Sequence, residues 1–409
     1  MHVKSLFLMG LALIGCLSCT AQSNKKPNQN QAPAAQPAGS EPLQLGAEQF
    51  SAYLPMLQGK RVGMVVNHTS IVRTKNGGYT HLVDTLLAQG VAVKSIFAPE
   101  HGFRGTATDG EKIANSRDPR SGVSIISLYG SNYKPAAAQL DSLDILIFDI
   151  QDVGTRFYTY ISTMHYAMEA CAENNKPILI LDRPNPNGHF VDGPVLDPKF
   201  RSFVGMHKIP VVHGLTIGEL AQMINGEKWL KNGVQPNLTV IPLKGYSHQT
   251  PYTLPVKPSP NLPNQRAILW YPSLCFFEGT IVSVGRGTDK QFQVIGAPDP
   301  AFGSYTFTPV DKPGAINPPQ EGKQCYGMDM SQIEPPKDQI TLKYLIDFYQ
   351  KAPDKEAFFL KNNGIDRLAG SDQLRYQIKG GLSEANIRKS WEPELGQYKT
   401  LRKKYLLYQ

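Results

Sequence analysis

The stretch SIFAPEHGFRG, residues 95–105, places an acid, an imidazole and a guanidinium directly after an apolar run. Glu100, His101 and Arg104 follow Pro99, with glycines interspersed. A carboxyl group at the end of a buried strand is partly desolvated, and desolvation favours the protonated form that a general acid needs. Glu100 is therefore the first candidate for an acid catalyst, and His101 and Arg104 are expected to support it or to bind substrate.

Polar residues also follow three other apolar runs of strand length, KRVGMVV, LDILIFD and KPILILD. In an open parallel sheet, ligands bind just beyond the carboxyl ends of the strands, so these residues are expected to share one polar cleft with Glu100. The candidate binding residues at these ends are Asn67, His68, Thr155, Arg156, Tyr158, Asp182, Arg183, Asn185 and, slightly further along, Asp192.

Paired carboxyl groups in such a cleft suit the cleavage of a glycosidic bond. One carboxylic acid protonates the leaving oxygen, and a second carboxylate activates water or attacks the sugar. Asp149 and Asp152, which end and follow the run LDILIFD, are rival partners for Glu100. Amide, guanidinium and phenol groups around them suit the recognition of sugar hydroxyls.

Several other chemistries lack their sequence signals. The turn after the first strand, NHTSIVRTKNGG, is not the glycine-rich turn that binds dinucleotides, and no Walker loop or G-x-S-x-G elbow occurs. No HxxxH or HxH pair points to a metal, so we expect no cofactor and no metal, with a metal-assisted hydrolase of the envelope as an alternative. The formal charge of +8 comes from scattered basic residues, which does not indicate a nucleic-acid partner.

The elements that must position these residues alternate between strands and helices. Strands that read as unbroken apolar runs indicate a parallel sheet covered on both faces. We therefore predict an α/β fold with a Rossmann-like open, mostly parallel sheet over residues 48–258. A Pro-rich connector then leads into a smaller α+β C-terminal domain, residues 259–409, with one late helix at ITLKYLIDFYQKA (340–352).

The N-terminus has the pattern of an exported lipoprotein. A positive start and the apolar stretch SLFLMGLALIG precede LIGC, which predicts a signal peptide over residues 1–19 and lipidation of Cys16. Cys19 is a weaker second candidate, and an ordinary signal cleaved near TAQS is the other interpretation. Residues 20–47, rich in Gln, Asn, Pro and Ala, are expected to form a flexible linker. We expect a membrane-anchored protein that faces the periplasm, with surface display as the alternative.

Six ordered motifs carry a resemblance to a known family. They are MVVNHTS, FAPEHGFRG, DVGTRFYTY, LDRPNPNG, VDGPVL and FFEGTIVSVGRGTD, spread over nearly all of residues 48–409. Together they resemble the NamZ-type (YbbC-like) exo-β-N-acetylmuramidases. The resemblance implies release of N-acetylmuramic acid (MurNAc) from the non-reducing end of peptidoglycan fragments, at a cleft between two domains. It also implies that the glutamate of PEHG, here Glu100, is catalytic. A non-catalytic lipoprotein that binds wall fragments is the alternative.

The substrate that the resemblance implies carries a lactyl carboxylate, which a planar guanidinium binds bidentately. Four arginines are candidates for this contact, with Arg156 preferred: Arg104, Arg156, Arg183 and Arg286. Tyr158 and Tyr160 could pack on the sugar ring. In the C-terminal domain Glu278 follows two phenylalanines and becomes a third rival, beside Asp149 and Asp152, for the second carboxylate.

Overall fold

Helices and strands alternate through the part of the chain that the computed structural model describes, residues 41–103, 116–130 and 132–408. The strands are β1 (Arg61–Val66), β2 (Ile71–Arg73), β3 (Tyr79–His81), β4 (Ala92–Ala98), β5 (Ser116–Arg117), β6 (Ser124–Ser127), β7 (Ile145–Asp149), β8 (Ile178–Leu181), β9 (Leu238–Ile241), β10 (Val294–Ala297), β11 (Tyr305–Phe307) and β12 (Cys325–Asp329). The helices are α1 (Phe50–Leu57), α2 (Leu82–Ala88), α3 (Ala137–Leu140), α4 (Tyr160–Glu173), α5 (Ile217–Gly226), α6 (Gln265–Leu274), α7 (Lys343–Lys351), α8 (Lys355–Phe358), α9 (Gly364–Ala369), α10 (Gln373–Lys379) and α11 (Glu384–Arg402).

The large sheet has the strand order β5-β6-β4-β1-β7-β8-β9 within the described residues. All neighbouring pairs are parallel except β5 and β6. This confirms the predicted open, mostly parallel sheet. The chain places β4 and then β6 on one side of β1. It then crosses β1 and places β7, β8 and β9 on the other side, so the direction in which strands are added reverses beside β1.

Alternate residues of the central strands point into two apolar clusters, one on each face of the sheet. Val62 and Met64 of β1 pack with Leu86 of α2 on one face, together with residues of α1. Val65 of β1 and Phe148 of β7 pack on the other face with residues of α4 and α5. Because both faces are covered, each strand must be apolar throughout, which explains the unbroken runs in the sequence.

The C-terminal part contains an antiparallel sheet of order β10-β12-β11 and the helices α6 to α11. The predicted smaller α+β region is therefore confirmed. Its described residues form six helices, α6 to α11, where the sequence predicted one late helix. The longest helix, α11, buries Ile387, Trp391, Leu395 and Tyr398 at a spacing of three or four residues. These residues belong to the same apolar cluster as α4, so a continuous core runs from the large sheet into the C-terminal helices.

The folded part begins earlier than the predicted linker boundary at residue 47. Leu45 and Ala47 are buried, and the backbone of Gln44 pairs with that of Lys244. Cys16, Cys19 and the rest of the predicted signal peptide lie outside the described residues. Within the described part, none of the helices has the length and apolar character needed to cross a bilayer. Cys171, Cys275 and Cys325 are buried free thiols.

Candidate active site

A cavity of about 330 Å³ lies at the carboxyl ends of the strands, beside the point where the direction of sheet building reverses. This is the place where open α/β sheets bind ligands. The turn after β4, the segment before α4, the connector near residue 260 and the segment after α6 all contribute. The cavity is lined by Glu100, His101, Tyr129, Phe157, Tyr158, Thr159, Tyr160, Val204, Ser259, Asn261, Leu262, Tyr271, Cys275, Glu278, Arg286, Phe292 and Leu368.

Glu100 reaches the cavity from a tight turn after β4. The amide of Gly102 donates to the carbonyl of Pro99 at 3.0 Å, and His101 has a left-handed backbone with φ of 68°. This conformation, which His adopts more readily than most residues, turns two successive polar side chains towards one cavity. The hydroxyl of Thr159, at the start of α4, donates to Oε2 of Glu100 at 2.7 Å.

Glu278 lies in the same cavity and is held on both oxygens. Nε of Arg286 is 2.5 Å from Oε1, and the thiol of Cys275 lies 3.5 Å from Oε2 as a donor. Burial raises the pKa of Glu278 to about 7, and ionisation of Glu100 would act in the same direction. The guanidinium of Arg286 opposes this rise because it stabilises the carboxylate. The contact with Arg286 therefore favours the ionised form of Glu278.

Two tyrosines fasten the connector to the cavity wall. The hydroxyls of Tyr158 and Tyr160 both donate to the carbonyl of Pro258, at 2.9 and 3.3 Å. Their rings meet edge to face with centroids 4.9 Å apart, and burial raises the pKa of Tyr158 well above its usual range. The connector predicted from its prolines thus becomes part of the site, because it carries Ser259 and Asn261 into the lining.

Arg156, the preferred arginine for a substrate carboxylate, does not line this cavity. It is fully buried, and its guanidinium donates to the carbonyls of Pro194, Ile209 and Leu368 at 2.7 to 2.8 Å. Burial lowers the pKa of Arg156 to about 9. Because the guanidinium of Arg156 is hydrogen bonded to three carbonyls inside the protein, it has a structural role. The structure does not support the expectation that Arg156 binds the substrate carboxylate.

Arg183 and Asp149 also lie outside the cavity lining, because they pair with each other. Nε and a terminal nitrogen of Arg183 contact the two carboxylate oxygens at 2.6 and 2.8 Å in a bidentate pair. Both side chains are buried. The charge of Asp149 is balanced by Arg183 at a position outside the cavity lining. Asp149 is therefore not placed to act as the second carboxylate.

Asp152 is buried as well, with Oδ1 accepting from the amide of Gly154 at 2.7 Å. Burial raises the pKa of Asp152 to about 7. The nearest ring nitrogen of His213 is 3.9 Å away, beyond hydrogen-bond distance. Asp152 does not line the cavity. Its negative charge contributes to the raised pKa of Tyr158, which lines the cavity.

The remaining candidate binding residues form internal contacts around the cavity. All of them except Thr155, whose buried hydroxyl has no partner among the described residues, form hydrogen bonds or an ion pair with protein groups. Asn67 accepts from Thr69, His68 donates to the carbonyl of Lys257, Thr155 is buried, Asp182 accepts from Thr216, Gly218 and Tyr408, Asn185 donates to Leu215, and Asp192 pairs with Arg388. Arg104 lies outside the described residues. The structure thus brings together Glu100, His101, Tyr158, Glu278 and Arg286.

Sequence reasoning missed several lining residues, and one group of them had a visible signal. Tyr271, Cys275 and Glu278 follow one another at helical spacing, and α6 with the turn after it directs all three to the cavity. Thr159 stands between two tyrosines that were considered. Tyr129 and Val204 gave no local signal, because their position depends on which strand ends become neighbours.

The assembled groups can perform acid–base chemistry on a sugar. Glu100 and Glu278 supply two carboxyl groups, Arg286 supplies a positive charge, and tyrosine rings supply flat apolar surface. Over residues 41–103, 116–130 and 132–408, no three His, Cys, Asp or Glu side chains form a group that could hold a metal ion.

Comparison with known sequences and structures gives one consistent family. The family models described as exo-β-N-acetylmuramidase NamZ, N-terminal and C-terminal, match residues 62–266 and 269–408. The peptidoglycan β-N-acetylmuramidase NamZ of Bacillus subtilis strain 168 is 38% identical over 429 aligned positions, covering 98% of each chain. Crystal structures of two DUF1343 family proteins of Bacteroides fragilis NCTC 9343 superimpose with TM-scores of 0.81 and 0.75, at 48% and 29% identity. Each covers 90% of this chain and 99% of its own.

Proposed function

The chain belongs to the NamZ exo-β-N-acetylmuramidase family, and from this membership we propose that it hydrolyses peptidoglycan fragments. It acts as an exo-glycosidase that releases MurNAc from the non-reducing end, as part of cell-wall turnover. The relative from Bacillus subtilis bears the name of this activity and aligns over nearly the full length of both chains.

The observation that carries the proposal is the meeting of Glu100 and Glu278 in one cavity. Glycosidic hydrolysis needs two carboxyl groups in different protonation states. Glu278 accepts from Arg286 on one oxygen and from Cys275 on the other, which suits a carboxylate. Glu100 accepts from Thr159 on Oε2, and we assign Oε1 to the proton that goes to the leaving oxygen.

The reaction then follows from these two roles. Glu100 transfers its proton to the glycosidic oxygen as the bond from that oxygen to the anomeric carbon breaks. Glu278 supports the attack on the anomeric carbon, either by taking a proton from water or by bonding to the carbon before water replaces it. One water molecule is consumed for each bond cleaved. If Glu278 takes the proton of the water, that proton returns to Glu100 through solvent; if Glu278 bonds to the carbon, Glu100 takes the proton of the water that replaces it, so both carboxyl groups regain their starting states.

Arg286 is our candidate for the lactyl carboxylate of MurNAc. Arg156 and Arg183 lie outside the cavity lining, whereas Arg286 lines the cavity beside its partner Glu278. Its positive charge would attract an acidic sugar into a cavity that already holds two carboxyl groups. His101 and Tyr158 complete the polar and aromatic wall around that sugar.

The test is an incubation of the mature protein with the disaccharide MurNAc–GlcNAc, followed by mass spectrometry. We expect free MurNAc and free GlcNAc from the parent chain. The variant Glu100→Gln should give strongly reduced release, while Glu321→Gln, at an exposed surface position, should behave as the parent. Binding of the disaccharide without release of either sugar would refute the enzymatic proposal and favour a wall-binding protein.

We further propose that the protein is exported and anchored by lipid on Cys16, facing the periplasm. The support is the sequence alone, namely the apolar stretch that ends in LIGC and the polar segment after it. Labelling cells with a radioactive or clickable fatty acid should mark the parent protein. Loss of the label in Cys16→Ser, with Cys19→Ser still labelled, would identify the modified residue, and an unlabelled parent would refute the anchor.

A further inference from the structure

Four aromatic rings form a half-buried surface beside the mouth of the cavity. We call this surface, made of Tyr129, Tyr133, Tyr166 and Phe203, the aromatic platform. The rings of Tyr133 and Phe203 have centroids 4.3 Å apart, and Phe203 and Tyr166 are nearly parallel, with 16° between their planes. Tyr129 contacts both Tyr133 and Phe203 at about 6 Å. The platform is therefore one continuous surface.

The platform is continuous with the site. Tyr129 lines the cavity directly, as does Val204, the neighbour of Phe203. The backbone of Phe203 is fixed from below, because its carbonyl accepts from the hydroxyl of Ser162 on α4 at 2.7 Å. A ligand that extends from the cavity past Tyr129 would meet the other rings of the platform.

The register of the large sheet shows that the platform and Glu100 follow neighbouring strands. Ala98 of β4 lies opposite Ser127 of β6, and the amide of Leu128 donates to the carbonyl of Ala98 at 2.8 Å. Glu100 and Tyr129 each follow two residues after that pair, so they emerge from adjacent strand ends. If Glu100 protonates the leaving oxygen, the sugar attached to that oxygen lies on the same side as Tyr129.

The chemistry of the platform fits a neutral sugar. The C–H faces of pyranose rings pack on aromatic rings, and a half-exposed tyrosine offers both an apolar face and a hydroxyl. Tyr133 and Tyr166 are both only partly buried. Lys134, beside the platform, is paired with Glu169 and Glu173 at 2.9 and 2.7 Å, so its charge is compensated locally.

We propose that the aromatic platform binds the sugars on the leaving side of the cleaved bond, starting with the N-acetylglucosamine next to the terminal MurNAc. This inference rests on the proposed exo-muramidase function. A cavity of about 330 Å³ is near the lower end of ligand pockets, roughly 300 Å³, and suits one amino sugar. The rest of a longer chain then lies outside the cavity, along the platform, which gives the enzyme a preference for saccharides over simple glycosides.

The experiment compares kcat/KM for the tetrasaccharide MurNAc–GlcNAc–MurNAc–GlcNAc with kcat/KM for methyl β-N-acetylmuramide, which has no leaving sugar. The ratio of the two values should fall about tenfold in Tyr133→Leu, and by a smaller factor in Tyr166→Leu, which lies further from the cavity. The control Tyr376→Leu changes a tyrosine that is 56% exposed and outside the platform, and it should keep the parent ratio.

Two outcomes would overturn the inference. Parent values of kcat/KM on both substrates in both platform variants would show that the rings serve something else, such as a protein partner or a lipid surface. Equal losses on both substrates would show that they only support the fold. If the parent chain released no MurNAc from either substrate, the proposed function would itself be refuted, and the inference with it.

Discussion

Glu278 and Arg286 form a close ion pair inside the cavity that Glu100 also lines, with 2.5 Å between Oε1 and Nε. The two residues are separated by eight positions in the chain, so a short segment carries both a carboxylate and the group that stabilises its charge. Without Arg286, burial would favour a neutral Glu278. In the proposed function, the guanidinium that binds the lactyl carboxylate would also favour the ionised form of Glu278.

Glu100→Gln should reduce kcat on MurNAc–GlcNAc by about 10²- to 10⁴-fold, because an amide cannot supply the proton for the leaving group. The substitution keeps an acceptor for the hydroxyl of Thr159, so the melting temperature should change little. Steady-state kinetics and a thermal melt measured on the same preparation check both statements. Near-normal turnover by this variant would exclude Glu100 as the acid.

Arg286→Met should move the acidic limb of the pH–kcat profile to higher pH. In the proposed mechanism Glu278 is the carboxylate, and burial raises its pKa to about 7. Removal of the guanidinium takes away the group that favours ionisation, so the profile should shift upward by about one pH unit or more. Arg286→Lys should restore part of the shift. A limb that stays at the parent position would show that ionisation of Glu278 does not limit turnover.

Asp152→Asn should reduce the dependence of stability on pH. Burial raises the pKa of Asp152 from 3.8 to about 7, so the folded state holds this proton more tightly than the unfolded state. The free energy of unfolding must therefore fall as pH rises between these values, by an amount on the order of 2 kcal/mol or more. Urea unfolding at pH 5 and pH 8 should show a smaller loss in the variant.

The matched control for that experiment is Asp338→Asn, at an exposed position, which should keep the parent pH dependence. The same Asp152→Asn protein also addresses catalysis. Its kcat should fall far less than that of Glu278→Gln, because Asp152 does not line the cavity. A comparable loss in both would make Asp152 the functional second carboxylate.

Arg156→Met should lower the free energy of unfolding by about 3 kcal/mol or more, since three buried carbonyls lose their donor. The exposed pair of Arg61 and Asp144 gives a control, because Arg61→Met should leave the free energy of unfolding near the parent value. The KM for MurNAc–GlcNAc should stay near the parent value in protein that remains folded. A rise in KM without loss of stability would return Arg156 to substrate binding.

The sequence predicted the large sheet well because its strands carry a strong local signal. Val62 to Val66 and Ile145 to Phe148 are buried on both faces, so the runs are apolar without interruption. The position of the site followed from the same signal, since strand ends are fixed once strands are known. Glu100, His101 and Tyr158 were found in this way.

The separation of functional from supporting residues could not be read from the chain. Arg183 and Asp149 are 34 positions apart, and nothing local shows that they neutralise each other. Arg156 and Arg286 were both candidates for the substrate carboxylate from sequence. The carbonyls that bind Arg156 are 38 to 212 residues away in the chain, so only the folded structure reveals them. The helix α11 had an apolar pattern, at Ile387, Trp391 and Leu395, that is diluted by many charged neighbours.

The guanidinium of Arg156 has a consequence for biogenesis. One of its acceptors, the carbonyl of Leu368, lies 212 residues further along the chain. Contacts between residues so distant in sequence form late, and segments with unmet partners stay open to proteases and to aggregation. A nascent chain interrupted before Leu368 would hold a buried cation with an incomplete set of acceptors. The two halves that family models treat as separate units are therefore expected to mature together, and expression of the first half alone should yield material that is degraded.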